Sequence, residues 1–404
     1  MRKIDLNNFQ VATSETARDI NSRIVLNLVR QHHAISRADL MRLSGLQRST
    51  VSVITEQLIA KRWLVEGAVG KLPRGRHPTF LHLNEDRAGI FGINIQPGKT
   101  DVALANLGGR FLVQESISTP STPEKFVRQV GQRLRAMRRE FPLMAYEDVG
   151  VSLPGRVDLS SQKFVFAPNL GWRGIDLKSQ LEEATGLTVN LENAANACAL
   201  SEFWFGKHSE QVRNLVVVTV SEGIGVGMIL NGQLVRGTSG MAGEFGHVAI
   251  NENGPKCGCG NHGCWEVYAS NSAAVRHYNA AKSSMRNRRS KGQNHSETRT
   301  FDDLLRLVER GDPLADESLN RMAQYLGLGI TMLVAGLAPD VIVVVGDIAR
   351  VWDKVGLIIA DVVKERCSTR VATKIVASGL TPQPRLRGII ALILQKHFGA
   401  PTTC

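Results

Sequence analysis

Apolar positions in the first 83 residues recur at helical spacing in three short blocks and then switch to a strand-like texture. Ile20, Ile24, Val25, Leu28 and Val29 form one apolar face, which predicts an amphipathic helix over residues 17–31. Ser36, with Asp39 three residues on, signals the start of a second helix that buries Ala38, Leu40 and Leu43 and stops at Gly45. A third begins at Gln47-Arg48-Ser49-Thr50 and runs into Val51, Ile54, Leu58 and Ile59. Three short helices with a glycine-containing turn between the second and third predict a helix-turn-helix. Trp63-Leu64-Val65-Glu66 and Thr79–Leu83 then read as strands flanking a Gly-rich basic loop, which makes a wing.

From Gly89 the pattern alternates between strands and helices. Residues 92–95, 101–105 and 111–113 predict three successive strands, with Gly108-Gly109 in one return. A basic amphipathic helix follows over about 123–140, and Val149–Leu153 reads as a strand ending in a turn at Pro154-Gly155. Leu215–Val220 and Val341–Val345 read as continuous buried-type strands of the kind that lie in a sheet covered on both faces. The alternation implies an α/β body, and 404 residues suit two sheets better than one. Residues 283–300 have almost no apolar content and read as a mobile loop, with a second nucleic-acid contact as the alternative.

Charge changes this picture in one place. The formal net charge is +12, and residues 1–83 contain 13 basic against 6 acidic side chains, so +7 lies in the first fifth of the chain. A basic excess on a winged helix points to nucleic acid rather than to a solvated surface alone. No stretch approaches the roughly 18 to 20 uninterrupted apolar residues of a membrane helix, and the N-terminus lacks the apolar core of a secretory signal. A cytoplasmic protein with no membrane partner is expected.

In a winged helix-turn-helix, the second helix of the motif presents its N-terminal side chains to base edges in the major groove. Here these are Gln47, Arg48, Ser49, Thr50 and Ser52. Gln pairs bidentately with adenine and Arg with guanine, while the hydroxyls reach bases or phosphate. Arg74 and Arg76 in the wing, held by Pro73, Gly75 and Pro78, suit insertion into a minor groove.

A second constellation joins Gly243-Glu244-Phe245-Gly246-His247 to Cys257-Gly258-Cys259-Gly260-Asn261-His262-Gly263-Cys264-Trp265-Glu266 across nine residues. Three of the six cysteines fall within eight residues, which in a cytosolic chain favours metal over disulfides. Three thiolates and one imidazole close a tetrahedral zinc site with no position left for a reactive water, so the metal is expected to be structural. His247 and His262 compete for the fourth place.

These motifs, with V-S-E-G-I-G-V-G-M-I-L-N-G-Q-L-V-R-G at 220–237, resemble the ROK family of repressors, open reading frames and kinases. With the winged helix in front, the chain resembles the family's transcriptional repressor branch, that of Mlc, NagC and the xylose repressors. The resemblance covers nearly the whole chain. It implies a two-lobed actin-like (ribonuclease-H-like) ATPase-type fold, with a sugar cleft and with His247, Cys257, Cys259 and Cys264 as zinc ligands. The expected division is 1–83 for the DNA-binding domain and 84–192 for the first lobe, joined by a C-terminal helix at 383–404. The second lobe is then 193–382, with the zinc loop and a dimerisation surface.

The resemblance also exposes departures from the kinases. Ala194, within Glu192-Asn193-Ala194-Ala195-Asn196, stands where the kinases carry the aspartate that takes a proton from the attacking hydroxyl, and a methyl group accepts no proton. The first phosphate motif reads Asn94-Ile95-Gln96-Pro97-Gly98, with an amide in place of the metal-associated acid. Glu222 replaces a threonine and sets a carboxylate where phosphate would lie, and Asp347 replaces a glycine of the adenosine motif. The positions that the family uses for pyranose hydroxyls are kept in Asn169, Asn193, Glu244, His247 and Glu266. His247 then serves zinc and sugar with one nitrogen each, so the metal organises the cleft. The expected protein is a non-catalytic, sugar-responsive repressor that binds a palindromic operator as a dimer or tetramer, with a sugar or sugar phosphate as effector. The alternatives are a bifunctional sugar kinase and a repressor that senses a protein through a vestigial cleft.

Overall fold

The computed structural model describes residues 14–69, 79–158, 163–167, 170–173, 175–209, 211–288, 298–367, 372–379 and 383–399. Helix α1 (Ser14–His32), strand β1 (Ile35–Ser36), α2 (Arg37–Ser44), α3 (Arg48–Ala60), β2 (Leu64–Val69) and β3 (Thr79–Leu83) make the winged helix. The start and stop signals of α2 act as expected. The Ser36 hydroxyl accepts the Asp39 N–H at 3.1 Å, and Gly45 takes the left-handed conformation (φ +71°) that ends the helix. The buried face of α1 differs from the expected one: Val25, Leu26 and Val29 point inward, while Ile24 is 39% exposed. Val25, Val29, Leu40, Val51 and Ile54 pack in a core closed by Ile35, Leu64 and Leu81 of the small sheet β1-β3-β2, and Leu43 is left exposed.

Next come β4 (Ala88–Gln96), β5 (Lys99–Asn106), β6 (Phe111–Ile117), α4 (Pro123–Glu140) and β7 (Ala145–Leu153). The short strands β8 (Arg156–Asp158), β9 (Lys163–Ala167) and β10 (Trp172–Arg173) form a sheet of their own, followed by α5 (Leu177–Thr185) and β11 (Thr188–Asn193). The rest of the chain supplies α6 (Ala194–Phe205), β12 (Leu215–Val220), β13 (Ile224–Leu230), β14 (Gln233–Leu234), α7 (Glu266–Ala269), α8 (Asn271–Arg288) and α9 (Phe301–Glu309). It closes with α10 (Pro313–Leu337), β15 (Val341–Gly346), α11 (Trp352–Arg366), β16 (Lys374–Ala377) and α12 (Pro384–Phe398).

The two large sheets have the same topology. One runs β11-β7-β4-β5-β6 and the other β14-β13-β12-β15-β16, so each reads 3-2-1-4-5 when its strands are numbered in chain order. This is the ribonuclease-H-like, actin-like arrangement, present twice. In the second sheet β12 pairs antiparallel with β13 and parallel with β15, and every residue of β12 is buried. A strand enclosed in this way reads as one apolar run, which is why Leu215–Val220 lacks the alternation of a half-buried strand.

The chain folds as two compact units: residues up to Val151 with Asp176–Asn190 and those from Ile389 on, and Ser152–Ile175 with Leu191–Gly388. The winged helix belongs to the first of these rather than standing apart. Residues 152–175, expected in the first lobe, go with the second unit, because β8 packs against the turn at Thr238–Gly240. The segment 283–300 differs from the expected loop too, since 283–288 continue α8 and 289–297 lie outside the described residues. A helix already anchored by buried Ala273, Ala274 and Tyr278 extends at little cost, even through polar residues.

Within the first unit the winged helix is tied to the end of α12. Asn27 Nδ2 donates to the Phe398 carbonyl at 2.6 Å, and Arg23 reaches the carbonyls of Lys396 and Gly399 at 3.4 Å. These are carbonyls with no partner inside their own helix, so α1 caps α12 through side chains. The Trp63 ring lies 5.1 Å from His397 and 6.4 Å from Phe398, with the Arg87 guanidinium 4.2 Å above it. Phe398→Ala removes a side chain that is only 3% exposed. It should cost about 3–5 kcal/mol, seen as a lower melting temperature and faster proteolysis of the winged helix.

Burial holds the His397 imidazole below its ordinary value of 6.5, with Arg87 and Lys396 acting in the same sense and Glu147 and Asp148 opposing. A base depressed in the folded state lends stability that is complete above about pH 6.5 and is lost as pH falls through the folded value. Melting temperature should therefore drop between pH 7 and 5.5. His397→Phe should flatten that dependence, and an unchanged slope would remove His397 from the docking account.

Candidate functional site

Strand β13, Ile224-Gly225-Val226-Gly227-Met228-Ile229-Leu230, brings the expected effector residues together. A Cβ on Gly227 would lie 2.3 Å from the Ala195 carbonyl oxygen, so only glycine lets the first turn of α6 approach the strand this closely. Gly246, between Glu244 and His247, meets β13 in the same way, with a would-be Cβ 2.2 Å from the Ile224 oxygen. The Ile224 N–H donates to Glu266 Oε2 at 3.3 Å. Asn193, the Glu244–His247 turn and Glu266 thus converge on one strand of the second unit. The structural use of Gly227 and Gly246 is backbone approach.

Asn193 is the N-cap of α6, and its Oδ1 accepts the Asn196 N–H at 2.7 Å. The amide NH2 of Asn193 is the part of the side chain that this cap leaves over. Ala194 is the first residue of the helix. Glu266 opens α7 directly after Trp265, which is fully buried and donates from its indole to the Tyr325 carbonyl of α10 at 2.8 Å. That anchor sets the carboxylate in place. Asn169 lies outside the described residues.

His247 faces two ways. Its Nδ1 is 3.5 Å from Cys257 Sγ and 3.5 Å from Glu266 Oε1, and its Nε2 is 3.8 Å from Glu244 Oε2. The ligand atoms of His247, Cys257, Cys259 and Cys264 all lie within 4.8 Å of one another, and this group could hold a metal ion. Two sulfurs at zinc-bond length from one tetrahedral ion sit ~3.8 Å apart, and Cys259 and Cys264 are 3.7 Å apart. His262 is exposed, paired by its backbone to Lys256, and not in the group. Burial pushes the Cys257 and Cys264 thiols above their ordinary value, and Glu266 adds to this through its charge. Without a metal these thiols stay protonated, so binding must displace their protons and weakens as pH falls.

The kinase-motif positions are placed as follows. Asn94 is buried on β4, and its Oδ1 has no hydrogen-bond partner among the described residues. Glu222 accepts a hydrogen bond from the Ser272 hydroxyl at the start of α8. Asp347 is exposed just beyond β15.

In the winged helix, Gln47, Arg48 and Ser49 are exposed at the start of α3, and Thr50 and Ser52 are half-buried. Val51, Ile54 and Leu58 hold the opposite face against the module's core. Arg74 and Arg76 lie outside the described residues. Sequence reasoning missed the pairing of Glu192 with Arg236, two residues that stood inside quoted motifs but whose proximity no spacing reveals.

A DNA-binding-type module joined to a duplicated actin-like body defines the class. The family model of the ROK family matches residues 90–396, and the chain belongs to that family. It is 31% identical to the xylose repressor of Bacillus subtilis strain 168, over 82% of this chain and 83% of that one. The structure of a ROK family transcriptional regulator, a homologue of the E. coli MLC protein, superposes with a TM-score of 0.80 at 26% identity, covering 95% of this chain and 98% of that chain. A ROK family glucokinase from Streptomyces griseus, solved with glucose and AMPPNP, gives 0.63 at 28% identity, covering 76% of this chain and 99% of that one.

Cys259→Ser should lower metal content from one equivalent per chain toward zero, measured by mass spectrometry on native protein. Metal retained in full would remove Cys259 from the ligand set.

Proposed function

We propose that this protein is a sugar-responsive transcriptional repressor whose kinase-like body has become an effector sensor. The observation that carries the reading is the pairing, in one chain, of an exposed polar start to α3 with a methyl group at Ala194 where a proton acceptor is needed. Loss of such a base typically costs on the order of 10²- to 10⁴-fold in rate. Glu222, Asp347 and Asn94 weaken nucleotide binding further at three separate elements. Relatives named as repressors support the same reading.

In this reading Gln47, Arg48, Ser49, Thr50 and Ser52 meet base edges and phosphates, and Arg74 and Arg76 of the wing insert into a minor groove. A palindromic operator would match a dimer or tetramer. Asn169, Asn193, Glu244, His247 and Glu266 hydrogen-bond the hydroxyls of a sugar or sugar phosphate. His247, through Nδ1, and the three cysteines would hold a zinc ion, which would leave the imidazole fixed with Nε2 toward the effector. Four protein ligands would close the site, so the ion would supply structure rather than Lewis-acid chemistry. Effector changes DNA affinity only by binding two arrangements of the dimer unequally, since equal affinity for both shifts nothing.

The deciding experiment is a footprint on DNA flanking the protein's own gene, with and without D-xylose, D-glucose and N-acetylglucosamine. Specific protection that a sugar alters is expected. No specific protection under any condition defeats the proposal, and ATP-dependent phosphorylation of a hexose by the purified chain would make it a bifunctional kinase. Arg48→Ala should weaken operator binding by roughly 1–3 kcal/mol and relax specificity at one position. Unchanged affinity and preference in a gel shift would exclude Arg48 from base readout.

A further inference from the structure

Glu192, next to last in β11, has a side chain only 1% exposed, yet it carries four polar contacts. Its Oε2 accepts from Arg236 Nε and Nη2, each at 3.0 Å. Its Oε1 accepts the Asn193 backbone N–H at 3.0 Å and Asn196 Nδ2 at 2.9 Å. The carboxylate therefore sets the turn from β11 into α6 on which Asn193 sits. Arg236 comes from a different segment, the loop between β14 and Glu244, and its own carbonyl accepts the Ala242 N–H at 3.0 Å. That loop includes Ser239 at φ +53°, a left-handed conformation that a non-glycine residue keeps only where its surroundings impose it.

We infer that Arg236 is the positioning residue of the effector site. Through Glu192 it clamps the loop that delivers Glu244 to the corner that delivers Asn193, so that an acceptor and a donor are held at one separation, matched to neighbouring hydroxyls of a polyol. Glu192 is buried while the Arg236 side chain is 38% exposed, so desolvation of the carboxylate offsets much of the attraction and the pair matters for which groups it holds together rather than for net stability. The inference rests on the sugar reading of Asn193 and Glu244. Its test has one arm that does not.

Amide exchange is followed in the unliganded protein for Arg236→Met, Arg236→Lys and the double variant Glu192→Gln/Arg236→Met, and calorimetry is run with D-xylose and D-glucose. In Arg236→Met the Asn193 and Asn196 amides and those of residues 238–246 should exchange about tenfold faster, and affinity for the sugar that the wild type binds should fall about tenfold. Arg236→Lys, which restores one charged donor, should recover both to within about threefold. The double variant removes the charge imbalance but not the loss of the tether, so its melting temperature should recover while its affinity stays low. If Arg236→Met does not fold, the double variant decides by the same two readouts.

Wild-type exchange and affinity in these variants, or affinity restored in the double variant, overturns the clamp. Faster exchange in a protein whose wild type binds neither sugar keeps the clamp and defeats the sugar reading.

Discussion

The second unit depends on how closely backbone approaches backbone along β13. Gly227 admits the first turn of α6 to a distance at which any Cβ would collide with the Ala195 carbonyl, and Gly246 does the same for the Glu244–His247 turn against Ile224. Interiors are close-packed, and a single added methyl against a carbonyl forces either backbone movement or loss of the contact. Three segments distant in sequence meet here because the strand between them presents almost nothing. Asn193, the Glu244–His247 turn, Glu266, the cysteine loop and the buried Glu192 corner are arranged around that gap.

The same region shows how charge and metal share one scaffold. His247 stands between the thiols and Glu244, and Glu266 lies within reach of both Cys257 and His247. Any ion bound by the four ligands would fix the imidazole and thereby the direction of its second nitrogen, coupling the cysteine loop to the polar residues beside it. Away from this site α12 makes a different connection. Within the first unit, its last residues hold α1 and Trp63 of the winged helix.

Much of this was legible from residues alone. Ser36, Asp39 and Gly45 mark α2 because capping is local chemistry, and the valine-rich runs of β12 and β15 announce strands covered on both faces. The spacing of the cysteines points to a metal while leaving His247 and His262 open as the fourth ligand, and the ROK motifs carried the family. Less visible was the rotation of α1, where Leu26 replaces Ile24 in the core. Helical periodicity allows neighbouring faces, and only the partners choose between them. The extension of α8 into polar residues was missed for the same kind of reason, since composition does not register an anchored helix that precedes it.

What the sequence determined by itself is whatever follows from neighbours along the chain: caps, turns, strand texture, the metal-ligand spacing and the identity of the residue at 194. What the tertiary structure decided is which distant groups meet. The duplicated 3-2-1-4-5 order, the pairing of Arg236 with Glu192 across 44 residues and the capping of α12 by Asn27 from 371 residues away leave no periodic or local signal. Such contacts arise from topology, in which a polar group finds its partner because the fold brings the two together and shields at least one of them from water.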